Sequence, residues 1–347
     1  MKYLKILNII DIPWASALAD YAIAQAKALK EAGHEIIFAA PVGSFSATAA
    51  KKNGFKLIDF PDRKKILSPL KIISLSYLCS KEKIDIINAH TGRALSAASA
   101  ISVFTTGVKI VRTKADAKKP SSRFFSRNLS LIICGSAYIR EMYGKQAEKT
   151  TKLKVIYKGA EKISRTPFQP APPYRIGIIG RLDPVKGHAD FIKAAILLLE
   201  KRKDCFFLIA GQEENISWGE LKKLIPAEFE KNFSYLGRVS DPYSFTSSCH
   251  FGVISSLASE AVSRAALEWL SSSRALISSS AGSLPEFVNQ DFLYRPGDWK
   301  TLAKKMENIL QAEKFREEGI NNLNKTEKFF SAKKFSMDTA EAFSMLV

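Results

Sequence analysis

The chain has 347 residues, 46% of them hydrophobic and 25% charged, with 52 Lys+Arg against 34 Asp+Glu. That length is enough for two domains, and that balance excludes a disordered or fibrous chain. Four scattered cysteines (Cys79, Cys134, Cys205, Cys249) lack the paired spacing of a disulfide framework or a zinc site and suit a reducing compartment.

The stretch from Met1 to Leu7 reads directly as the start of a strand, and polar residues return too soon for a signal peptide. No apolar run approaches the roughly 18 residues that span a bilayer. Lys5–Asp11 reads as a strand and Ser16–Ala32 as a helix closed by Gly33, with Leu18, Tyr21, Ala22, Gln25, Ala28 and Leu29 spaced along one face. Glu35–Ala40, Phe55–Phe60, Ile84–Ala89, Lys109–Arg112 and Leu131–Cys134 are further strands, with helices at Pro69–Lys81, Ala94–Phe104 and Ala137–Tyr143 between them. Strands alternating with helices predict an α/β domain with a parallel, doubly wound sheet. The net charge of +18 is concentrated here: residues 1–163 carry 28 Lys+Arg against 12 Asp+Glu. Its densest part runs through Lys109, Arg112, Lys114, Lys118, Lys119, Arg123 and Arg127, with Asp116 as the one acid. One-sided charge suits an anionic partner such as a phospholipid surface or a phosphorylated glycolipid; the plain alternative is a solvated face that aids solubility. No recognition helix or aromatic platform for nucleic acid accompanies it.

Four prolines between Thr166 and Pro173 cannot sit inside a helix or central strand and mark a linker. The alternation then restarts: strands at Arg175–Ile179, Cys205–Ala210, Phe233–Leu236, Phe251–Ile254 and Ala275–Ser278, and helices at His188–Lys201, Trp218–Leu224, Pro242–Ser247 and Val262–Ser273. The last stretch, Trp299–Lys325 and then Ser331–Leu346, is helical. The expected division is residues 1–165, linker 166–173, a second domain 174–327, and a terminal helix within 328–347 returning to the first domain. Two such halves bind ligands at the carboxyl ends of their strands, with a cleft between them.

Two segments of the second half carry chemistry. In Gly180-Arg181-Leu182-Asp183-Pro184-Val185-Lys186-Gly187, two cations sit between a strand end and a helix N-terminus, which suits a diphosphate. Glu260 and Glu268 lie eight positions apart where a loop enters a helix, and Glu268 stands among Leu267, Trp269 and Leu270. A carboxylate among apolar neighbours needs a donor, and vicinal ribose hydroxyls supply two. Phosphate-binding cations and hydroxyl-binding carboxylates together describe a nucleotide-sugar site. No cluster has metal-ligand spacing and no Gly-x-Ser-x-Gly elbow is present.

These motifs, with Gly211-Gln212-Glu213-Glu214, Leu236-Gly237-Arg238-Val239 and Gly282-Ser283-Leu284-Pro285-Glu286 in the same order, resemble glycosyltransferase family 4 (group 1), retaining enzymes of the GT-B fold. The resemblance covers nearly the whole chain, including Ala32-Gly33-His34-Glu35 and a strand that ends at His90. It implies two Rossmann-like domains facing across a cleft. It implies a donor site in which Arg181 and Lys186 hold the diphosphate after Gly180, Gly211 lies in the neighbouring turn, Arg238 and Val239 flank the base, Glu260 touches the sugar and Glu268 the ribose. The amides of Ala261 and Val262 would also face the donor.

Three departures from the family pattern stand out. The first strand is followed by Ile12-Pro13-Trp14-Ala15-Ser16, where relatives are glycine-rich, so Trp14 either shapes the acceptor site or covers the diphosphate. Glu260-Ala261-Val262-Ser263 replaces Glu-Gly-Phe-Gly, with Ser263 as a phosphate or sugar contact. Ala115 stands where Val111-Arg112-Thr113-Lys114-Ala115-Asp116 would carry a histidine, leaving Asp116 or His90 to fill that role. The resulting expectation is a retaining glycosyltransferase needing no cofactor or metal. It moves a sugar from a nucleoside diphosphate to an anionic glycan or glycolipid at the inner face of the cytoplasmic membrane, as in lipopolysaccharide or envelope polysaccharide synthesis. Arg112, Lys114, Lys118 and Lys119 would lie on the acceptor side. The alternatives are a catalytically impaired nucleotide-sugar-binding scaffold or a sugar-nucleotide epimerase of the same fold.

Overall fold

The computed structural model describes residues 3–119, 129–148, 152–164, 172–311 and 314–346. Arg123, Arg127 and most of the Pro-rich segment (165–171) lie outside these residues. The chain forms two compact units, Met1–Lys158 with Ala332–Val347, and Gly159–Ser331. Residues 159–164 therefore belong to the second unit, not the first: the Ala160 amide donates to Phe330 O (2.7 Å) and the Ser164 amide to Ser271 O (2.8 Å).

The first unit contains β1 (Lys5–Ile9), α1 (Ala17–Glu31), β2 (Glu35–Ala40), α2 (Phe45–Lys52), β3 (Lys56–Asp59), α3 (Pro69–Glu82), β4 (Ile86–Ala89), α4 (Gly92–Val103), β5 (Lys109–Lys114), β6 (Leu129–Cys134), α5 (Ala137–Glu148) and β7 (Lys152–Val155). The strands form one sheet in the order β3-β2-β1-β4-β5-β6-β7, with every pairing parallel. Helices cover both faces of such a sheet, so its central strands are unbroken apolar runs: Ile6, Leu7, Ile9, Ile86 and Ile87 are fully buried. Side-chain caps start the helices, with Ser16, Ser44, Ser68 and Thr91 each accepting an amide of the first turn.

The second unit contains β8 (Tyr174–Ile179), α6 (His188–Lys201), β9 (Cys205–Ala210), α7 (Trp218–Lys222), β10 (Phe233–Tyr235), α8 (Pro242–Ser248), β11 (Phe251–Ile254), α9 (Arg264–Ser271), β12 (Ala275–Ser279), α10 (Leu284–Phe287), β13 (Leu293–Tyr294), α11 (Trp299–Gln311) and α12 (Lys314–Phe329). Its sheet runs β10-β9-β8-β11-β12-β13, again all parallel. The helical stretch expected over Trp299–Lys325 comprises two helices: α11 packs on α6, whereas α12 packs on α9 and β12. The last helix, α13 (Ala332–Ser344), returns to the first unit, where Phe335 meets Tyr21 edge-on at 5.4 Å.

Each sheet reverses its strand order once, between β1 and β4 in the first unit and between β8 and β11 in the second. The loops leaving adjacent strands on either side of such a reversal diverge, and the gap at their carboxyl ends is where doubly wound sheets take ligands. The four cysteines are all buried, and burial pushes each thiol up to about 12, which leaves them unreactive.

Candidate functional site

The Gly180–Gly187 loop leaves β8 and the Ser255–Ser263 loop leaves β11, so the two segments singled out in the sequence meet at the strand-order reversal of the second unit. Their closest approach is polar. Lys186 Nζ lies 2.5 Å from Glu260 Oε1, and Ser256 Oγ donates to the same oxygen at 2.7 Å. Glu260 is 5% exposed, and its Oε2 accepts no hydrogen bond among the described residues.

Small residues permit this approach. Gly187 has φ +68°, and a Cβ there would lie 2.0 Å from Ser255 O. The Ser255 hydroxyl donates to the carbonyls of Lys186 (3.1 Å) and Gly187 (2.9 Å), locking one loop to the other. Ser259, just before Glu260, adopts φ +65°, a left-handed conformation that costs a non-glycine residue about 1–3 kcal/mol. The surroundings hold Glu260 in place: the Ser283 amide donates to Glu260 O at 2.6 Å, and a Cβ on Gly282 would lie 2.2 Å from that oxygen.

Arg181 is half-exposed, 3.0 Å from Glu214 Oε1 and 3.7 Å from Asp183 Oδ2. Exposed pairs of this kind contribute about 0–1 kcal/mol, so an incoming phosphate competes readily for Arg181. Asp183 accepts the Val185 amide (2.9 Å) and the Asn215 side chain (2.6 Å). Burial works to raise its pKa, but those bonds and the Arg181 and Lys186 charges together hold it below the ordinary carboxylate range. His188 opens α6 and is 1% exposed; burial, aided by the Lys186 charge, lowers its pKa to about 4 despite smaller upward pulls from Gly180 and Asp183, so the ring is neutral. Gly211 packs on the turn from the other side, where a Cβ would meet Gly180 O at 1.8 Å.

Helix α9 begins at Arg264 rather than Val262, because Ser263 is its N-cap and accepts the Ala266 amide at 3.3 Å. That bond uses a lone pair of the hydroxyl and leaves its O–H to donate. Ala261 and Val262 are buried. Trp269 docks α9 against the sheet over Gly177 and Gly252, where added Cβ atoms would come within 2.8 Å and 2.2 Å of the indole. Glu268 is only half-buried: its chain neighbours Leu267, Trp269 and Leu270 turn inward, so it does not sit in an apolar pocket. It lies near enough to Tyr243 for its charge to help burial raise that phenol's pKa. Arg238 is exposed on the loop after β10, with Val239 half-buried beside it.

In the first unit the expected cations divide. Arg112 is buried and donates to Ala89 O (2.9 Å) and Thr113 O (2.7 Å). Lys114 is buried and pairs with Asp116 at 2.6 Å. Both therefore point inward, because every residue of β5 after Lys109 is buried; Lys118 and Lys119 are exposed. His90 is fully buried, with Nε2 3.1 Å from Asn8 Oδ1 and 3.2 Å from Asn88 Nδ2. Burial first, and Arg112 second, lower its pKa to about 3. Trp14 is 48% exposed, with the Arg63 guanidinium 5.7 Å from its ring centre. Among the described residues no group of three or more His, Cys, Asp or Glu is placed to hold a metal, and no helix is long and apolar enough to cross a membrane.

The sequence reading missed Ser256, Ser255, Asp183 and Glu214, which position the site. The serines gave a signal only in hindsight, as polar residues directly after the apolar run of β11.

Comparisons with known proteins agree with this architecture. The family model for glycosyl transferases group 1 matches residues 173–312, and that for glycosyltransferase family 4 matches residues 18–161. The chain belongs to glycosyltransferase family 4, the group 1 glycosyl transferases. Among solved structures, the glycosyltransferase of Rickettsia africae is 19% identical with a TM-score of 0.83, over 100% of this chain and 99% of that one. Anabaena Alr3699/HepE, solved with UDP and glucose, is 20% identical with a TM-score of 0.77, over 99% of this chain and 100% of that one. The lipopolysaccharide outer core galactosyltransferase WaaB is 15% identical with a TM-score of 0.77, over 99% and 100%. These likenesses establish the GT-B fold. A comparison with curated proteins finds no match.

Proposed function

We propose that this glycosyltransferase moves a hexose from a nucleoside diphosphate, with retention of configuration, onto a hydroxyl of an anionic glycan or glycolipid in envelope polysaccharide or lipopolysaccharide synthesis. One observation carries the donor side of this reading. Lys186 and Glu260 face each other across the strand-order reversal of the second unit, and among the described residues one carboxylate oxygen of Glu260 is left without a donor. In this reading Lys186, Arg181 and the N-terminus of α6 stabilise the departing diphosphate. Glu260 Oε2 accepts a sugar hydroxyl, while Glu268 takes the ribose and Arg238 and Val239 flank the base. The acceptor proton passes to the leaving phosphate on the same face, so no protein nucleophile and no metal are required. The UDP bound to Anabaena HepE and the lipopolysaccharide role named for WaaB favour a UDP-sugar and an envelope acceptor.

A thermal-shift panel of UDP-, GDP- and ADP-sugars tests the donor. UDP-sugars are expected to stabilise the protein and Lys186→Ala to abolish the shift; a panel in which no nucleotide sugar stabilises it overturns the reading. The anomeric configuration of the product, read by NMR, tests retention. Ala115 favours a second reading, a nucleotide-sugar-binding protein without transfer, because the neighbouring candidates His90 and Asp116 are respectively buried and paired. Donor binding with neither transfer nor donor hydrolysis would select it.

A further inference from the structure

Helix α3 is apolar on both sides. Leu75 and Cys79 are buried against the unit, whereas Leu70 (77% exposed), Ile73 (58%) and Tyr77 (69%) recur on the opposite face. Their spacing places them within about 60° of one another around the helix axis. Ile66, 91% exposed, lies in the segment that leads into the helix. Helix α4 packs on α3 and ends in Val103 and Phe104, 76% and 66% exposed. Exposed apolar residues gathered along one helix face and the end of the helix packed beside it suit an interaction site.

The charge around it identifies the occupant. Residues 60–83 carry six cations against Asp62 and Glu82. Glu82 is already neutralised by Lys56 (2.7 Å) and Lys5 (4.0 Å). Arg63, Lys64, Lys65, Lys81 and Lys83 are exposed at the two ends of the stripe. A second copy meeting this face about a two-fold axis would bring the same cations together, which is unfavourable. An anionic bilayer offers both halves of the complement, phosphates for the lysines and an acyl boundary for the stripe.

We propose that α3 and the end of α4 form a face that lies in the headgroup layer of an anionic membrane, with Leu70, Ile73, Tyr77 and Phe104 inserted and the lysines on lipid phosphates. The inference rests on the reading above only in taking the acceptor to be membrane-borne.

The test is flotation of the full chain with vesicles of phosphatidylcholine alone or with about a third phosphatidylglycerol. Two variants accompany it, Leu70→Ser/Ile73→Ser/Tyr77→Ser and Lys64→Glu/Lys65→Glu/Lys81→Glu. Binding to the anionic vesicles is expected, with about a tenfold or greater loss in each variant, since both apolar insertion and charge contribute. Wild-type protein that floats with neither vesicle overturns the proposal, as does a serine variant that binds like wild type. A wild-type dimer in light scattering that the serine variant dissolves also overturns it, by making a second copy the occupant. The nucleotide-sugar shift, measured on the same proteins, separates the two claims. A retained shift shows that a variant is folded with its donor site intact. A missing shift in wild type sinks the functional reading and leaves the vesicle result standing.

Discussion

The Lys186–Glu260 pair permits a quantitative test. In Lys186→Met the Glu260 carboxylate, 5% exposed, keeps only the Ser256 hydroxyl as a donor to Oε1. Removing one partner of a fully buried ion pair costs about 3–5 kcal/mol, and an exposed pair is worth about 0–1 kcal/mol. The Lys186 side chain is 24% exposed, so water reaches one end of the pair and the expected loss falls to about 2–3 kcal/mol. For a folding unit of this size that is a drop of about 5–10 °C in midpoint. Glu260→Gln keeps the Ser256 bond and leaves a lysine able to turn to solvent, so its loss should be nearer 1 kcal/mol. In Lys186→Met/Glu260→Gln no charge is stranded, and part of the loss returns as a coupling energy of about 1–2 kcal/mol. Scanning calorimetry on the full chain measures all four proteins and shows whether the two units unfold in separate transitions. A coupling near zero, with Lys186→Met as stable as wild type, would refute the claim that these groups compensate each other without ligand.

The remaining expectations rest on other atoms. Gly211→Ala places a Cβ 1.8 Å from Gly180 O, backbone against backbone, so it should lose more than about 2 kcal/mol in denaturant titration; a neutral outcome would mean that the turn yields easily. Ser256→Ala removes one of the two bonds to the Glu260 carboxylate, and should raise the KM for donor more than it lowers kcat; the reverse split would give Ser256 a role in the chemical step. Burial holds His90 near about 3 and His188 near about 4, both neutral when folded, so the unfolded chain alone binds these protons below its ordinary pKa of about 6.5. Their stabilising contribution is complete above that value and should fade as pH drops, by up to about 1.4 kcal/mol per histidine per pH unit down to about pH 4, where His188 itself protonates; flat stability from pH 7 to about 4.5 contradicts it. Asn88→Leu strips partners from Asn8, Gln25 and Thr113 and should cost about 2–4 kcal/mol while leaving nucleotide-sugar affinity within about twofold.

Parallel strands covered on both faces are the most legible elements in a sequence, because burial makes them unbroken apolar runs bounded by polar turns. Glu35–Ala40, Cys205–Ala210 and Phe251–Ile254 have the same limits in sequence and structure, as does the helix His188–Lys201. Elements without that pattern were not read. Helix α2 is mostly alanine, serine and lysine, and β7 is an edge strand in which lysine alternates with apolar residues. The loops of the candidate site were legible as motifs, but their pairing was not. That Lys186 and Glu260 are counter-ions follows from β8 and β11 being neighbours in the sheet, although 74 residues separate the two side chains. Glu268 shows the opposite error. Its neighbours in the chain suggest apolar surroundings, whereas a helix turns each successive side chain by about 100°, so Leu267, Trp269 and Leu270 are buried and Glu268 only half-buried.

The two strand-order reversals differ in how they are furnished, and the difference assigns them different chemistry. At β1 and β4, Asn8, Asn88 and His90 join Gln25 and Thr113 in a buried network whose members are all uncharged, the histidine included. Asn88 alone donates to Asn8 (2.7 Å) and Gln25 (2.8 Å) and accepts from Thr113 (2.8 Å), tying three strands to α1. Such a network stiffens a fold and supplies little charge to a ligand. At β8 and β11 the corresponding place holds a cation, a carboxylate with one oxygen that has no donor among the described residues, and a helix N-terminus. A diphosphate carries charge that neutral dipoles compensate poorly and a lysine beside a helix N-terminus compensates well. On the proposed reading, the second unit is therefore the one that would take the phosphate end of a donor. The first unit has tied Arg112 to backbone carbonyls and Lys114 to Asp116.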